Sequence, residues 1–113
     1  MSDVCVLVAN EPRIYREVIS AAFEHLRPSV EVVTAEAQHL NQEYLRLLPR
    51  LVVCSRLTKL VENNAPVWVE LYPNSTPRAV VGGLGREPST LAGMDFDTLL
   101  SILDNVKPQH GLE

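Results

Sequence analysis

The fold is decided by residues 4–12, VCVLVANEP. The first six of these residues are continuously apolar and rich in β-branched side chains, which is typical of a strand buried on both faces of a parallel sheet. The polar residues that follow predict the start of a helix, with Asn10 as its N-cap and Pro12 in its first turn. A buried strand that leads directly into a helix is the repeating unit of α/β proteins.

The segment after Pro12 has an apolar residue at every fourth position. These residues are Ile14, Val18, Ala22 and Leu26, and Tyr15, Ile19 and Phe23 widen the stripe. The spacing predicts an amphipathic helix that ends at Pro28 and buries this stripe against the sheet.

The rest of the chain continues the alternation of strands and helices. Further strands are predicted at 31–34, 51–54, 67–72 and 79–81, and further helices at 36–48, 56–63 and 95–106. The turn at 73–77 is too short for a parallel crossover, which needs about a dozen residues, so the last two strands should form an antiparallel hairpin. The sequence predicts a three-layer α/β sandwich. Its mostly parallel sheet has five strands in the order 2-1-3-4-5, with the fifth strand at the edge.

Composition places further limits on the chain. It has 113 residues, enough for one domain over 1–108 with a loose tail at 109–113. Its net charge of −4 argues against nucleic-acid binding, which usually needs a basic stripe. The absence of a long apolar run and of a signal-peptide pattern predicts a cytoplasmic protein without a membrane segment. Two cysteines do not make a disulfide scaffold, three scattered histidines do not make a metal site, and no cofactor is expected.

Three segments share a pattern with a known family. Val6–Pro12 is a strand followed by a polar turn, Leu48–Ser55 places a proline before a buried strand that ends in a polar residue, and Met94–Leu100 opens the last helix. In these segments the chain resembles the response-regulator receiver domain, which has a flavodoxin-like fold. The resemblance implies a role in signal transduction.

The same resemblance locates a phosphorylation site and implies that it is inactive. The family's magnesium-binding acidic pair falls on Ala9 and Asn10, and its phosphorylated aspartate falls on Ser55. Magnesium prefers carboxylate oxygens, and none stands at these three positions. The resemblance therefore predicts a degenerate site, no enzyme activity, and a regulatory or protein-interaction module that is not phosphorylated.

A second hypothesis is the binding of a small ligand, a nucleotide or a phosphate, at the strand ends. Successive glycine amides in 82–90 can form an anion-binding nest, although a flexible loop explains this segment equally well. The candidate ligand-binding residues are Asn10, Ser55, Gly83, Gly85, Arg86 and Ser89.

A contact surface is predicted on the fourth and fifth strands. Trp68, Glu70 and Tyr72 alternate onto one face of the fourth strand, and Val80 lies on the fifth. If no helix covers this face, its aromatic residues would contact a partner, either a second copy in a homodimer or another protein. The alternative is that the short third helix and the 82–94 loop fold over it.

Overall fold

The computed structural model describes residues 4–72, 77–91 and 94–106. The strands are β1 (Cys5–Ala9), β2 (Glu31–Thr34), β3 (Leu51–Cys54), β4 (Val67–Leu71), β5 (Ala79–Gly83) and β6 (Arg86–Leu91). The helices are α1 (Arg13–Leu26), α2 (Leu40–Leu47), α3 (Lys59–Asn64) and α4 (Phe96–Asp104), and a 3-10 turn at Ala37–His39 precedes α2. The predicted tail 109–113 and the hairpin turn at 73–76 lie outside the described residues.

The strands form one mixed sheet in the order β2-β1-β3-β4-β5-β6. The first four strands in this order are parallel, and β1 lies between β2 and β3. β5 then runs antiparallel to β4, with Leu71 opposite Ala79. The predicted fold class, strand order and antiparallel hairpin are confirmed.

Alternation along the buried strands creates two apolar layers. In β1, Val6 and Val8 contact the layer under α1 and α4, whereas Leu7 and Ala9 contact the layer under α2 and α3. All four side chains are fully buried. The continuous apolar run of β1 is explained by this position between two helical layers.

The segment 82–90 is not the predicted loop, because most of it belongs to a β5–β6 hairpin. Two residues, Leu84 and Gly85, connect the strands, and Gly85 has a φ of 81°, a conformation that glycine adopts without steric cost. β6, not β5, is therefore the edge strand. The residues of β6 are exposed except for the half-buried Leu91, and Pro88 interrupts its donors, which discourages pairing at this edge.

The start and the buried face of α1 also differ from the prediction. Pro12 occupies the N-cap position, and Asn10 lies before the helix with its side chain fully buried. Ile19 and Phe23 face the core, whereas Ile14, Val18 and Leu26 are 58%, 57% and 44% exposed. The last helix is capped by Asp95, whose carboxylate accepts a hydrogen bond from the amide of Thr98 at 2.8 Å.

Candidate functional site

The carboxyl ends of the parallel strands hold Asn10 and Ser55, two of the predicted site residues. Asn10 follows β1, and its Nδ2 donates to the carbonyl oxygen of Leu71, at the end of β4, at 3.0 Å. β3 lies between these two strands, so the buried amide of Asn10 reaches across the end of β3.

A second set of hydrogen bonds joins the loops after β1, β2 and β3. The Glu11 amide donates to Ser55 Oγ at 2.9 Å, and the Ala37 amide donates to Glu11 Oε2 at 3.1 Å. Arg16 Nη1 donates to the same carboxylate at 3.2 Å and to the Asn10 carbonyl oxygen at 3.3 Å. The hydroxyl of Ser55 and the carboxylate of Glu11 are therefore both engaged within the chain.

The thiol of Cys54, the residue before Ser55, is unreactive. Cys54 is fully buried at the end of β3, and burial, with a smaller effect of the Glu70 carboxylate, raises its pKa to about 12. The thiolate is the nucleophilic form of cysteine. At neutral pH, Cys54 is therefore a protonated core residue.

The predicted ligand-binding residues separate into distant groups. Gly83, Gly85 and Arg86 lie at the β5–β6 turn, which is near the amino end of β4, because Trp68 pairs with Gly82. Asn10 and Ser55 lie at the opposite end of the sheet. Gly83 has a packing role, since a Cβ there would overlap the Pro66 carbonyl oxygen. Ser89 lies within β6 opposite Val81, away from both ends.

The predicted contact surface on β4 and β5 is largely covered. Trp68 is 2% exposed and packs in the layer under α2 and α3, with its ring directly over Gly82. Glu70 accepts the Leu57 amide at 3.0 Å, and Val80 packs at the margin of the same layer. The alternative was that the short third helix and the 82–94 loop fold over this face; Trp68 is covered in the layer that holds Val61 of α3, but residues 82–91 belong mostly to the β5–β6 hairpin and do not form that loop.

Tyr72 lies on the other face of the sheet from Trp68. Strand β4 ends at Leu71, and Tyr72 has a positive φ of 56°, so the strict alternation stops before it. Its hydroxyl donates to the Met94 carbonyl oxygen at 3.3 Å, and its ring meets that of Tyr15 edge-on at 5.6 Å. Tyr72 therefore joins the surface formed by α1 and α4.

This second surface, the α1–α4 groove, is a cleft of about 310 Å³ between the two helices. Its lining includes Ile14, Tyr15 and Val18 from α1, Tyr72 after β4, and Met94 and Phe96 at the start of α4. The four-residue spacing predicts Ile14 and Val18 in the core, so their exposure on this surface is not predicted. The sequence does carry a signal for this exposed surface, because apolar residues lie on more than one side of α1.

Charged residues stand at the start of both helices that border the groove. Arg13 immediately precedes Ile14 at the start of α1, and its side chain, which is 78% exposed, pairs with Glu17 at 2.6 Å. Asp95 and Asp97, on the α4 edge, are both exposed. Hydrogen bonding to the Thr98 amide lowers the pKa of Asp95, so its carboxylate is ionised at neutral pH.

No known family model, curated protein or solved structure matches this chain. Among the described residues, none of the helices combines the length and apolar character needed to cross a membrane.

Proposed function

We propose that this chain is a receiver-like protein-interaction module that performs no phosphotransfer and forms a two-fold dimer through the α1–α4 groove. The observation that carries the proposal is the exposed apolar surface of that groove. Ile14 and Val18 are more than half exposed beside a cleft lined by Tyr15, Tyr72 and Phe96. An apolar patch of this kind usually marks a contact with another protein.

The strand ends support the non-catalytic part of the proposal. Ala9 has no side-chain ligand, Asn10 Nδ2 donates to the Leu71 carbonyl oxygen while its buried Oδ1 has no hydrogen-bond partner among the described residues, and the Ser55 hydroxyl accepts a hydrogen bond from the Glu11 amide. A divalent cation would find no carboxylate at these three positions, and Ser55 lacks the carboxyl group that forms an acyl phosphate.

A second copy of the chain is the proposed occupant because the groove is complementary to itself. α1 and α4 run parallel, since Tyr72 links the start of both helices and Arg27 pairs with Asp104 at the end of both. A two-fold axis along the groove places the α1 edge of one copy against the α4 edge of the other at the same height. Arg13 of each copy then faces Asp95 and Asp97 of its partner, with the apolar residues between them.

Light scattering on the purified chain at tens of micromolar tests this proposal. We expect the wild type to have the mass of a dimer and Val18→Glu to have that of a monomer, because the substitution places two charges in the apolar contact. Leu45→Glu is the matched control: Leu45 is 60% exposed on α2, in the other helical layer, and its substitution should leave the dimer intact.

Circular dichroism should give folded spectra for both variants, since each substitution replaces an exposed side chain. A wild-type monomer at these concentrations would contradict the proposal. Equal dissociation of the Val18 and Leu45 variants would also contradict it, because the contact would then not be specific to the α1–α4 groove.

A further inference from the structure

A second cavity, the strand-end arginine pocket, lies where the loops after three parallel strands meet. Its volume is about 440 Å³, and its lining includes Arg13 and Arg16 after β1, Ala37 and Gln38 after β2, and Arg56 after β3. β1 lies between β2 and β3 in the sheet, so the strand order reverses at β1: the chain passes from β1 to β2 on one side and then from β2 to β3 on the other. Open α/β sheets bind ligands at this switch point.

The two carboxylates in this pocket accept hydrogen bonds from the chain, whereas one of its arginine side chains has no partner among the described residues. Two carboxylates also line it, but Glu11 accepts hydrogen bonds from Arg16 and the Ala37 amide, and Glu36 accepts one from Gln38 Nε2 at 3.0 Å. Arg56 is exposed, and its side chain makes no hydrogen bond or ion pair within residues 4–72, 77–91 and 94–106. Its guanidinium group therefore presents donors to the pocket that the described chain leaves unused.

We infer that this pocket binds the phosphate group of a small molecule, with Arg56 as the main ligand and Arg13 and Arg16 beside it. Guanidinium groups donate paired hydrogen bonds that match the geometry of phosphate oxygens. Arg16 is held in place by Asn10 and Glu11, and its side chain is only 11% exposed, so one of the three cations is already positioned. A volume of about 440 Å³ leaves room for an organic group besides the phosphate.

This site differs from both the receiver family's phosphorylation site and the glycine-rich hairpin. Its lining residues come from the segments after β1, β2 and β3, but they include neither Asn10 nor Ser55. Arg86, at the other end of the sheet, takes no part in it. It also shares no lining residue with the α1–α4 groove, and its main ligand, Arg56, takes no part in the proposed dimer contact, although Arg13 is used in both.

Titration with pyrophosphate, followed by amide NMR spectra at constant ionic strength, tests the inference. We expect saturable shifts in the loops at 10–16, 35–38 and 55–57. Arg56→Gln should weaken binding about tenfold or more, since it removes a charged hydrogen-bonding partner. Arg86→Gln removes the same charge from the other end of the sheet and should bind pyrophosphate as the wild type does.

Three results would overturn the inference. They are the absence of saturable shifts, shifts confined to residues 83–89, and equal weakening by the two substitutions, which would indicate a general charge effect. Repeating the titration with Val18→Glu separates this site from the dimer: a monomeric variant should bind pyrophosphate with wild-type affinity, and loss of binding there would also contradict the inference.

Discussion

Asn10 is the residue that most directly holds the ends of the parallel strands together. Its Nδ2 donates to the Leu71 carbonyl oxygen across the end of β3, and its own carbonyl oxygen accepts from Arg16. The side chain is fully buried, so its hydrogen bond has no competition from water. Removing it would leave a buried carbonyl without its donor.

We expect Asn10→Ala to lower the free energy of unfolding by about 1 kcal/mol, because the Leu71 carbonyl oxygen loses its side-chain donor while the unpartnered Asn10 Oδ1 is removed with the side chain. Urea unfolding at neutral pH measures this change. Asn63→Ala is the control, because Asn63 is exposed on α3 and its substitution should stay within about 0.5 kcal/mol of the wild type. Equal stabilities for the two variants would show that the Asn10 bridge contributes nothing.

At the scale of elements, α1 and α4 are joined at their ends by one ion pair. Arg27 donates to both carboxylate oxygens of Asp104, at 2.7 and 2.8 Å. This hydrogen bonding lowers the pKa of Asp104, and a carboxylate with a lowered folded-state pKa stabilises the fold above its unfolded pKa. Its contribution disappears as the pH falls through the folded-state value.

We therefore expect Asp104→Asn to unfold at a lower urea concentration than the wild type at pH 7, by a small margin because the pair is exposed. The margin should shrink below about pH 4, the usual range of an unfolded aspartate, and vanish in stronger acid. In an Arg27→Gln background, Asp104→Asn should have little effect at either pH. A margin that persists in strong acid, or in that background, would contradict this role of the ion pair.

The elements differ in how far the sequence predicts them. β1 and β3 are predictable because both faces are buried and their residues are apolar throughout. β6 is not predictable from the sequence, because Arg86–Leu91 is exposed along almost its whole length and has no apolar alternation. On an α-helix, residues nine positions apart lie about 180° from each other, so Ile14 and Phe23 cannot share a buried face. The four-residue spacing predicts the helix correctly but not its buried side.

Some features of the candidate sites can likewise be predicted from the sequence, and others cannot. Asn10 and Ser55 are predictable as neighbours because strands of one direction end at one edge of the sheet. The hydrogen bonds that engage these two side chains within the chain cannot be predicted from the sequence, since they depend on the bridge from Asn10 to Leu71. The distance between Ser55 and Gly83 follows from the direction of β5, which carries the glycine turn to the opposite end. Tyr72 changes face through a backbone conformation that alternation does not predict.

At the scale of the whole molecule, the two proposed surfaces lie on different parts of α1. The α1–α4 groove uses Ile14, Tyr15 and Val18, whereas the strand-end arginine pocket uses Arg13 and Arg16. Arg13 lines the pocket and immediately precedes Ile14, the first residue of α1 in the groove. In the proposed dimer Arg13 faces the acidic α4 edge of the partner, so its charge contributes to the choice of orientation.

Reversing these charges tests that orientation. Arg13→Glu should weaken the dimer about tenfold, since two symmetry-related ion pairs, each worth up to about 1 kcal/mol, become repulsive contacts. Asp97→Arg alone should weaken it similarly, and the double variant Arg13→Glu/Asp97→Arg should recover most of the affinity because the opposite charges face each other again. Sedimentation equilibrium at low salt measures all four constants. If the double variant dissociates as readily as the sum of the single variants predicts, the two edges do not meet, and the parallel two-fold arrangement is wrong.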